Sequence, residues 1–372
     1  MIHFGDISKE EFLREYWQKK PLFIKSAIPG FISPLSPNEL AGLSCEDEFE
    51  SRIIKGSVEN NLWTLENGPF NDKSFKNTPN NEWTLLVQGV DKHVQEIYEL
   101  IDEFNFIPRW RFDDVMISFA SLGGSVGPHY DHYDVFLLQG HGKRKWQISS
   151  IDCNPSNYVP SSPLRIMKNF EIETTWVAEP GDIVYIPPGI AHHGESTDNE
   201  CITLSIGYRS YSANEMLESL ELIRDDDNNS YYKDPLWLDQ QGSAEIPNSA
   251  IEKLIKLTKN NKLSDTFFGC FVTKLDPLDE EKLNDVVAFN SPLIIKDSVT
   301  YSLHPLSRIA YQFIDKVLVV FLNGNTLQIN DIHDDLIIEF CNTRRIKVTA
   351  INKALAIQFS ALLLLEETRP NN

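Results

Sequence analysis

The stretch Pro180-Gly181-Asp182-Ile183-Val184-Tyr185-Ile186-Pro187-Pro188-Gly189-Ile190-Ala191-His192 restricts the fold of this chain more than any other. Gly181, Pro187, Gly189 and His192 stand in the spacing G-x5-P-x-G-x2-H. Glycine and proline punctuate turns, and the apolar residues between them read as one short buried strand. The pattern prescribes a turn, a strand, a second turn, and then another strand that carries a histidine inward. An all-β barrel or sandwich of many short strands satisfies that prescription. His193 adjoins His192 with the same chemistry, and the spacing selects His192.

A second segment supplies partners for that histidine. Gly123-Gly124-Ser125-Val126-Gly127-Pro128 make a turn before His129-Tyr130-Asp131. On a strand, residues i and i+2 face the same side, so the His129 imidazole and Asp131 carboxylate can converge on one ion. The sequence then repeats itself as His132-Tyr133-Asp134. Alternation alone leaves His132 and Asp134 open as a second pair. Residues 180–192 match the second cupin motif, which in a double-stranded β-helix places His192 opposite the His-x-Asp strand. Two imidazoles and one carboxylate form the facial triad of non-haem Fe(II) oxygenases and leave coordination positions open. A closed structural zinc site uses four protein ligands. Ordinary cupins more usually carry His-x-His, so Asp131 sets this chain apart.

The apolar run Val135-Phe136-Leu137-Leu138 leads to Gln139-Gly140-His141-Gly142, expected as a turn, and then to Lys143-Arg144-Lys145-Trp146-Gln147-Ile148. Period-two alternation puts Arg144, Trp146 and Ile148 on one face and Lys143, Lys145 and Gln147 on the other. A lone arginine on an apolar face is costly unless it meets an anion. Beside an iron site it suits bidentate capture of a carboxylate. The competing reading is a basic hairpin with Arg144 capped by an internal Asp or Glu.

Composition bounds the rest. At about 150 residues per domain, 372 residues imply two or three domains. Residues 1–210 have the texture of a β domain with some flanking helix, opened by the capping box Ser8-Lys9-Glu10-Glu11 ahead of Phe12, Tyr16 and Trp17. Ser212-Ala213-Asn214-Glu215 is a second capping box, followed by a helical stripe of Met216, Leu217, Leu220 and Ile223. A further helix is expected around Ile251, Leu254, Ile255 and Thr258. Lys316 to Leu322 reads as a strand, Asn323-Gly324 as a hairpin turn, Thr326 to Ile329 as the return strand, and Asp334 to Phe340 as a helix. That mixture resembles a winged-helix module. The expected organisation is a catalytic domain over 1–210, a helical dimerisation region over 211–268 and a winged-helix-like domain over 269–372.

Lys and Arg total 34 against 54 Asp and Glu, a net charge of −20. Such a surface repels phosphate backbones and argues against DNA binding. Five scattered cysteines, never in a CxxC pair, oppose a disulfide framework or a cysteine zinc site. The first residues lack a basic stretch followed by an apolar core, and no apolar run is long enough to span a bilayer. A cytoplasmic protein without membrane attachment is expected.

Taken together, Trp110 to Phe119, Gly127 to Asp131, Tyr133 to Phe136, Gly181 to Gly189 and Ser205-Ile206-Gly207-Tyr208-Arg209 resemble the JmjC-type 2-oxoglutarate oxygenases, specifically the bacterial ribosomal-protein arginine hydroxylases. The resemblance is strongest over residues 1–210. It implies a double-stranded β-helix and the iron ligands His129, Asp131 and His192, rather than His132 and Asp134. It also implies Arg144 as the anchor of the distal carboxylate of 2-oxoglutarate, assisted by the Ser118 hydroxyl. Related eukaryotic ribosomal oxygenases, which hydroxylate histidine, generally carry lysine at the position of Arg144. The implied cofactor is Fe(II), with 2-oxoglutarate and O2 as cosubstrates. The implied reaction hydroxylates the β-carbon of an arginine in ribosomal protein L16, and the implied assembly is a homodimer. Two other readings stand beside this one: a hydroxylase or demethylase of another protein or small molecule on the same scaffold, and a non-catalytic cupin-like binding module.

Overall fold

A computed structural model describes residues 2–59, 62–160, 162–219, 230–238, 240–258 and 263–368. The chain divides into two units, Met1–Phe104 with Phe112–Ser210, and Asn105–Arg111 with Tyr211–Asn372.

Among its described residues the first unit carries twelve strands: β1 (Leu22–Ile24), β2 (Ser51–Ser57), β3 (Leu62–Asn67), β4 (Trp83–Val87), β5 (Phe112–Ala120), β6 (His129–Tyr130), β7 (Val135–His141), β8 (Arg144–Ser149), β9 (Thr174–Ala178), β10 (Ile183–Ile186), β11 (Ala191–Ser196) and β12 (Cys201–Tyr208). Eight of them form one sheet in the order β1-β10-β7-β12-β5-β4-β2-β3, and four form a second, β6-β11-β8-β9. Val135, Leu137, Val184 and Ile186 from the large sheet pack with Trp146, Ile148 and Ala178 from the small one. The two sheets therefore enclose a common interior, as the short-strand pattern requires.

The motif over residues 180–192 folds as its spacing dictates. Gly181 turns with φ +88°, and a Cβ there would stand 2.5 Å from the Ile28 carbonyl oxygen, so only glycine fits. All four residues of β10 are buried because both of its faces are covered. Val184 and Ile186 point into the barrel. Tyr185 points outward, its ring 5.0 Å from those of both Phe12 and Phe136. The N-terminal helix supplies that outer cover. Ser8 accepts from the Glu11 N–H as the capping box demands, and Phe12 and Trp17 are at most 3% exposed. Burying an aromatic side chain of this size contributes about 1.5–3 kcal/mol.

Two local details differ from the sequence reading. β7 runs to His141, so Gln139 and Gly140 continue the strand and the turn begins only at Gly142. The Gln139 side chain holds the strand end in place by donating to the His141 carbonyl, 2.7 Å away. β6 ends at Tyr130, so Asp131 follows the strand and does not belong to it.

In the second unit, Ser212 caps Ala213–Ser219, and its hydroxyl accepts from the Glu215 N–H at 3.0 Å. Met216 and Leu217 are buried within the chain itself, so these two members of the helical stripe are not waiting for a partner. Leu220 and Ile223 lie outside the described residues. The other expected helices are Asn248–Leu257 and Asp334–Thr343. The hairpin joins β13 (Val317–Leu322) to β14 (Asn325–Leu327), with Asn323 and Gly324 both at positive φ. The return strand thus begins earlier and ends sooner than Thr326–Ile329. A core of Tyr301, Leu303, Val320, Phe340, Leu355 and Phe359 holds this unit together. Arg111 and Asp234, both buried, form an ion pair at 2.8 Å. Among the described residues, no helix is long and apolar enough to cross a membrane.

Candidate metal centre

His129 and His192 are direct antiparallel partners between β6 and β11, so both side chains leave the same face of the small sheet. Their ring centroids are 4.3 Å apart. Asp131 Oδ2 lies 3.7 Å from His129 Nε2 and 3.8 Å from His192 Nε2. One ligand atom from each residue falls within 4.8 Å of the other two. The Gly189 N–H donates to the Asp131 carbonyl at 2.7 Å, which ties the turn of one motif to the loop of the other. That bond fixes Asp131 without strand pairing.

The tautomers follow from the neighbours. His129 Nδ1 is 2.9 Å from the Gly127 carbonyl and His192 Nδ1 is 3.4 Å from that of Ile190. A carbonyl only accepts, so each Nδ1 carries the hydrogen and each Nε2 presents a lone pair. Burial, and then the adjacent His129, push the His192 pKa down to about 4. His192 is therefore neutral and ready to ligate at ordinary pH.

Arg144 shares this face. β8 and β11 pair His192 with Ile148, Gly194 with Trp146 and Ser196 with Arg144, so the alternation read from sequence holds. Lys143 and Lys145, on the outer face, pair with Glu179 at 2.6 Å and Glu195 at 2.9 Å. Arg144 is 4% exposed. Its Nε and Nη2 are buried and have no hydrogen-bond partner among the described residues. No internal carboxylate caps it there, which removes the support for the capped-hairpin reading. Ser118 sits on β5 opposite Thr203 of β12, buried, with its hydroxyl 3.4 Å from the Thr203 carbonyl. It faces the same way as Asp114 and Met116, which line the cleft over the metal centre.

That cleft has a volume of about 310 Å³ and reaches His129 and Asp131. Its wall carries a polar relay that sequence reasoning missed. Arg52 Nη2 donates to Gln88 Oε1 at 3.2 Å, and Gln88 Nε2 donates to Asp114 Oδ2 at 2.7 Å. The Gly89 N–H donates to the same oxygen at 2.9 Å. Burial, reinforced by the negative charges of Asp113 and Asp91, raises the Asp114 pKa to about 7. Asp113 and Tyr133 line the same opening, together with the cations Arg52 and Arg165.

The repeated His-x-Asp is resolved by position. His132 is exposed. Asp134 is fully buried and accepts from Tyr185 Oη at 2.6 Å and Gln18 Nε2 at 3.0 Å. His193 faces away from the cluster, and its Nδ1 lies 3.1 Å from Gln147 Oε1.

Two antiparallel sheets around a His-Asp-His cluster define the class of the metal-binding JmjC and cupin barrels. Residues 99–216 match the JmjC domain family. The chain is 34% identical over 270 residues to the ribosomal protein uL16 3-hydroxylase of Escherichia coli, covering 71% of each protein. It is 37% identical over 215 residues to a probable ribosomal oxygenase of Haemophilus influenzae, covering 58% of this chain and 52% of that one. An X-ray structure of E. coli YcfD superposes with a TM-score of 0.71 at 27% identity, over 98% of this chain and all of that one. A structure of the same ribosomal oxygenase in complex with cobalt and 2-oxoglutarate gives 0.66 at 27%, over 96% of each. The chain belongs to the JmjC-domain ribosomal oxygenases.

Proposed function

We propose that this chain is an Fe(II)- and 2-oxoglutarate-dependent oxygenase that hydroxylates the β-carbon of an arginine in ribosomal protein uL16 (L16). One observation carries the reading. Three metal-ligand atoms converge on one point while a buried guanidinium with unpartnered donors lies on the same sheet face. The donor set of two imidazoles and one carboxylate fits Fe(II) with positions left open for small ligands. His129, Asp131 and His192 would hold the iron. The Nε and Nη2 edge of Arg144 matches a carboxylate fork, and would hold the distal carboxylate of 2-oxoglutarate with help from Ser118. When bound, iron with 2-oxoglutarate and O2 supplies the oxidising power to place a hydroxyl on an unactivated carbon, with succinate and CO2 as co-products.

The remaining work belongs to the chain. The Nδ1 hydrogen bonds hold both imidazoles in one tautomer and orientation. The acidic side of the cleft, Asp113 and Asp114, receives a cationic side chain and brings its carbon to the metal. A chain of net charge −20 is matched to a basic ribosomal protein.

The proposal extends to the whole chain. Residues 211–268 would form a homodimer, with exposed Leu236, Leu238 and Ile255 as apolar candidates for the contact. Residues 269–372 would form a winged-helix-like module that frames the client and does not bind DNA. The protein would act in the cytoplasm. Mass spectrometry of ribosomal proteins from a deletion strain tests the central claim. Loss of one oxygen from uL16 is expected, and an unchanged uL16 with a shifted mass on another protein would redirect the substrate assignment.

A further inference from the structure

The interior face around Arg144 holds one more donor without a partner. Trp146 Nε1 is buried and, like Arg144 Nε and Nη2, has no hydrogen-bond acceptor among the described residues. The arginine Cζ lies 5.4 Å from the centre of the Trp146 ring, and that ring is 6.0 Å from His192. Trp146 therefore stands between the guanidinium and a metal-ligand histidine. Ile148, Val184 and Ile186 belong to the same apolar cluster as Trp146.

The partner strand is shaped to hold the indole in this place. Gly194 is opposite Trp146 across β8 and β11. A Cβ on residue 194 would meet Trp146 Cζ3 at 2.4 Å and Cη2 at 2.6 Å. The six-membered ring thus lies on bare backbone, and the edge carrying Nε1 is turned away from Gly194. A phenylalanine would fill much of the same volume without a polar atom. An indole N–H enclosed by apolar neighbours is costly until an acceptor arrives.

We propose that Trp146 donates its indole N–H to the carboxylate held by Arg144, so that 2-oxoglutarate is gripped by three donors, and that Gly194 is bare to admit the ring. A carboxylate accepts about four hydrogen bonds, so two from the arginine fork leave room for a third donor. This inference rests on the cosubstrate assignment above.

Protein labelled with ¹⁵N at tryptophan and loaded with redox-silent Zn(II) tests it by NMR during titration with 2-oxoglutarate. The Trp146 indole resonance, assigned by its absence in Trp146→Phe, should move in step with saturation. Trp146→Phe should bind 2-oxoglutarate at least about tenfold more weakly, the worth of one hydrogen bond to a charged group, with zinc content unchanged. Gly194→Ala, which displaces the ring but keeps the indole, should weaken binding as well. An indole resonance that stays still while the ligand saturates overturns the proposal and leaves a buried water as the acceptor. Arg144→Met separates the two layers. If it abolishes binding while Trp146→Phe does not, only the third donor fails; if neither weakens binding, the cosubstrate assignment itself fails.

Discussion

His129 and His192 meet as a directly opposed antiparallel pair, their rings 4.3 Å apart, and each points its Nδ1 at a backbone carbonyl two residues earlier. The same local device thus orients both imidazoles. Each ring is fixed by its own turn, Gly127 before one and Ile190 before the other, so the site is organised before any ion enters.

From this arrangement, His129→Ala, Asp131→Ala and His192→Ala should each lose bound iron and turnover. Removing one of three protein ligands weakens the ion and breaks the face that orients oxygen. His132→Ala should keep both, since His132 is exposed. Asp134→Ala should keep its iron at a lower melting temperature, because it strips the acceptor from Tyr185 and Gln18. Metal analysis together with thermal denaturation checks all five. Full activity and iron content in any of the first three would show that the ligand register is wrong.

Arg144→Met should raise the KM for 2-oxoglutarate at least tenfold and alter the KM for the protein substrate far less. A charge-assisted pair contributes roughly 1.5–3 kcal/mol, and Nε and Nη2, which have no partner among the described residues, mark where it forms. Steady-state succinate release under varied 2-oxoglutarate measures this. An unchanged cosubstrate KM removes Arg144 from the site.

Stability of the metal-free protein should depend on pH in a way the histidines dictate. His192 and His193 both titrate near 4 in the fold, each held down chiefly by burial, against about 6.5 when unfolded. The unfolded chain then binds more protons between these values, so stability falls as pH drops from about 6.5 toward 4, by about 3 kcal/mol per histidine at most. Asp114 acts in the opposite sense. Its folded pKa of about 7 lies above the usual carboxylate value, so its contribution is lost as pH rises through that range. Asp114→Asn should therefore steepen the acid limb of a plot of melting temperature against pH. A shallower limb contradicts the sign.

The same substitution should separate client from cosubstrate. At pH 8, above its folded pKa of about 7, Asp114 is mainly ionised. Asp114→Asn then removes negative charge from the cleft wall while keeping the shape, and the KM for a uL16 peptide should rise about tenfold or more, as expected for a charged hydrogen bond. Binding of 2-oxoglutarate to the protein should stay within about twofold, because Arg144 lies on the other sheet. Equal effects on both ligands would mean that Asp114 supports the barrel as a whole.

How far the sequence carries the reader depends on how local the cause is. Gly181, Pro187 and Gly189 encode two turns within a few residues, so β10 and the place of His192 are legible directly. The inward set Arg144, Trp146 and Ile148 follows from alternation within one strand. Asp131 was expected on a strand, yet a single backbone bond from Gly189 positions it, and no short-range pattern announces that bond. The relay from Arg52 through Gln88 to Asp114 is invisible in sequence because sheet order brings β2, β4 and β5 together across sixty residues of chain. The indole resting on Gly194 is hidden for the same reason. At Met216 and Leu217 periodicity marks a face that needs cover without saying what covers it, and the chain itself covers these two.

The proposed dimer would therefore use other residues. Leu236, Leu238 and Ile255 are 44%, 37% and 40% exposed in the single chain, and Ile255 sits on Asn248–Leu257, whose opposite side buries Ala250 and Leu254. Light scattering should give twice the 42.6 kDa chain mass. Ile255→Glu places a charge in the contact, which an apolar interface tolerates poorly, and should shift the protein toward monomer at low micromolar concentration. A wild-type monomer that retains full uL16 hydroxylation would remove the dimer from the mechanism. Salt-sensitive, submicromolar binding of duplex DNA by the full chain would overturn the accompanying claim, because a net charge of −20 leaves no evident excess of cations for phosphate.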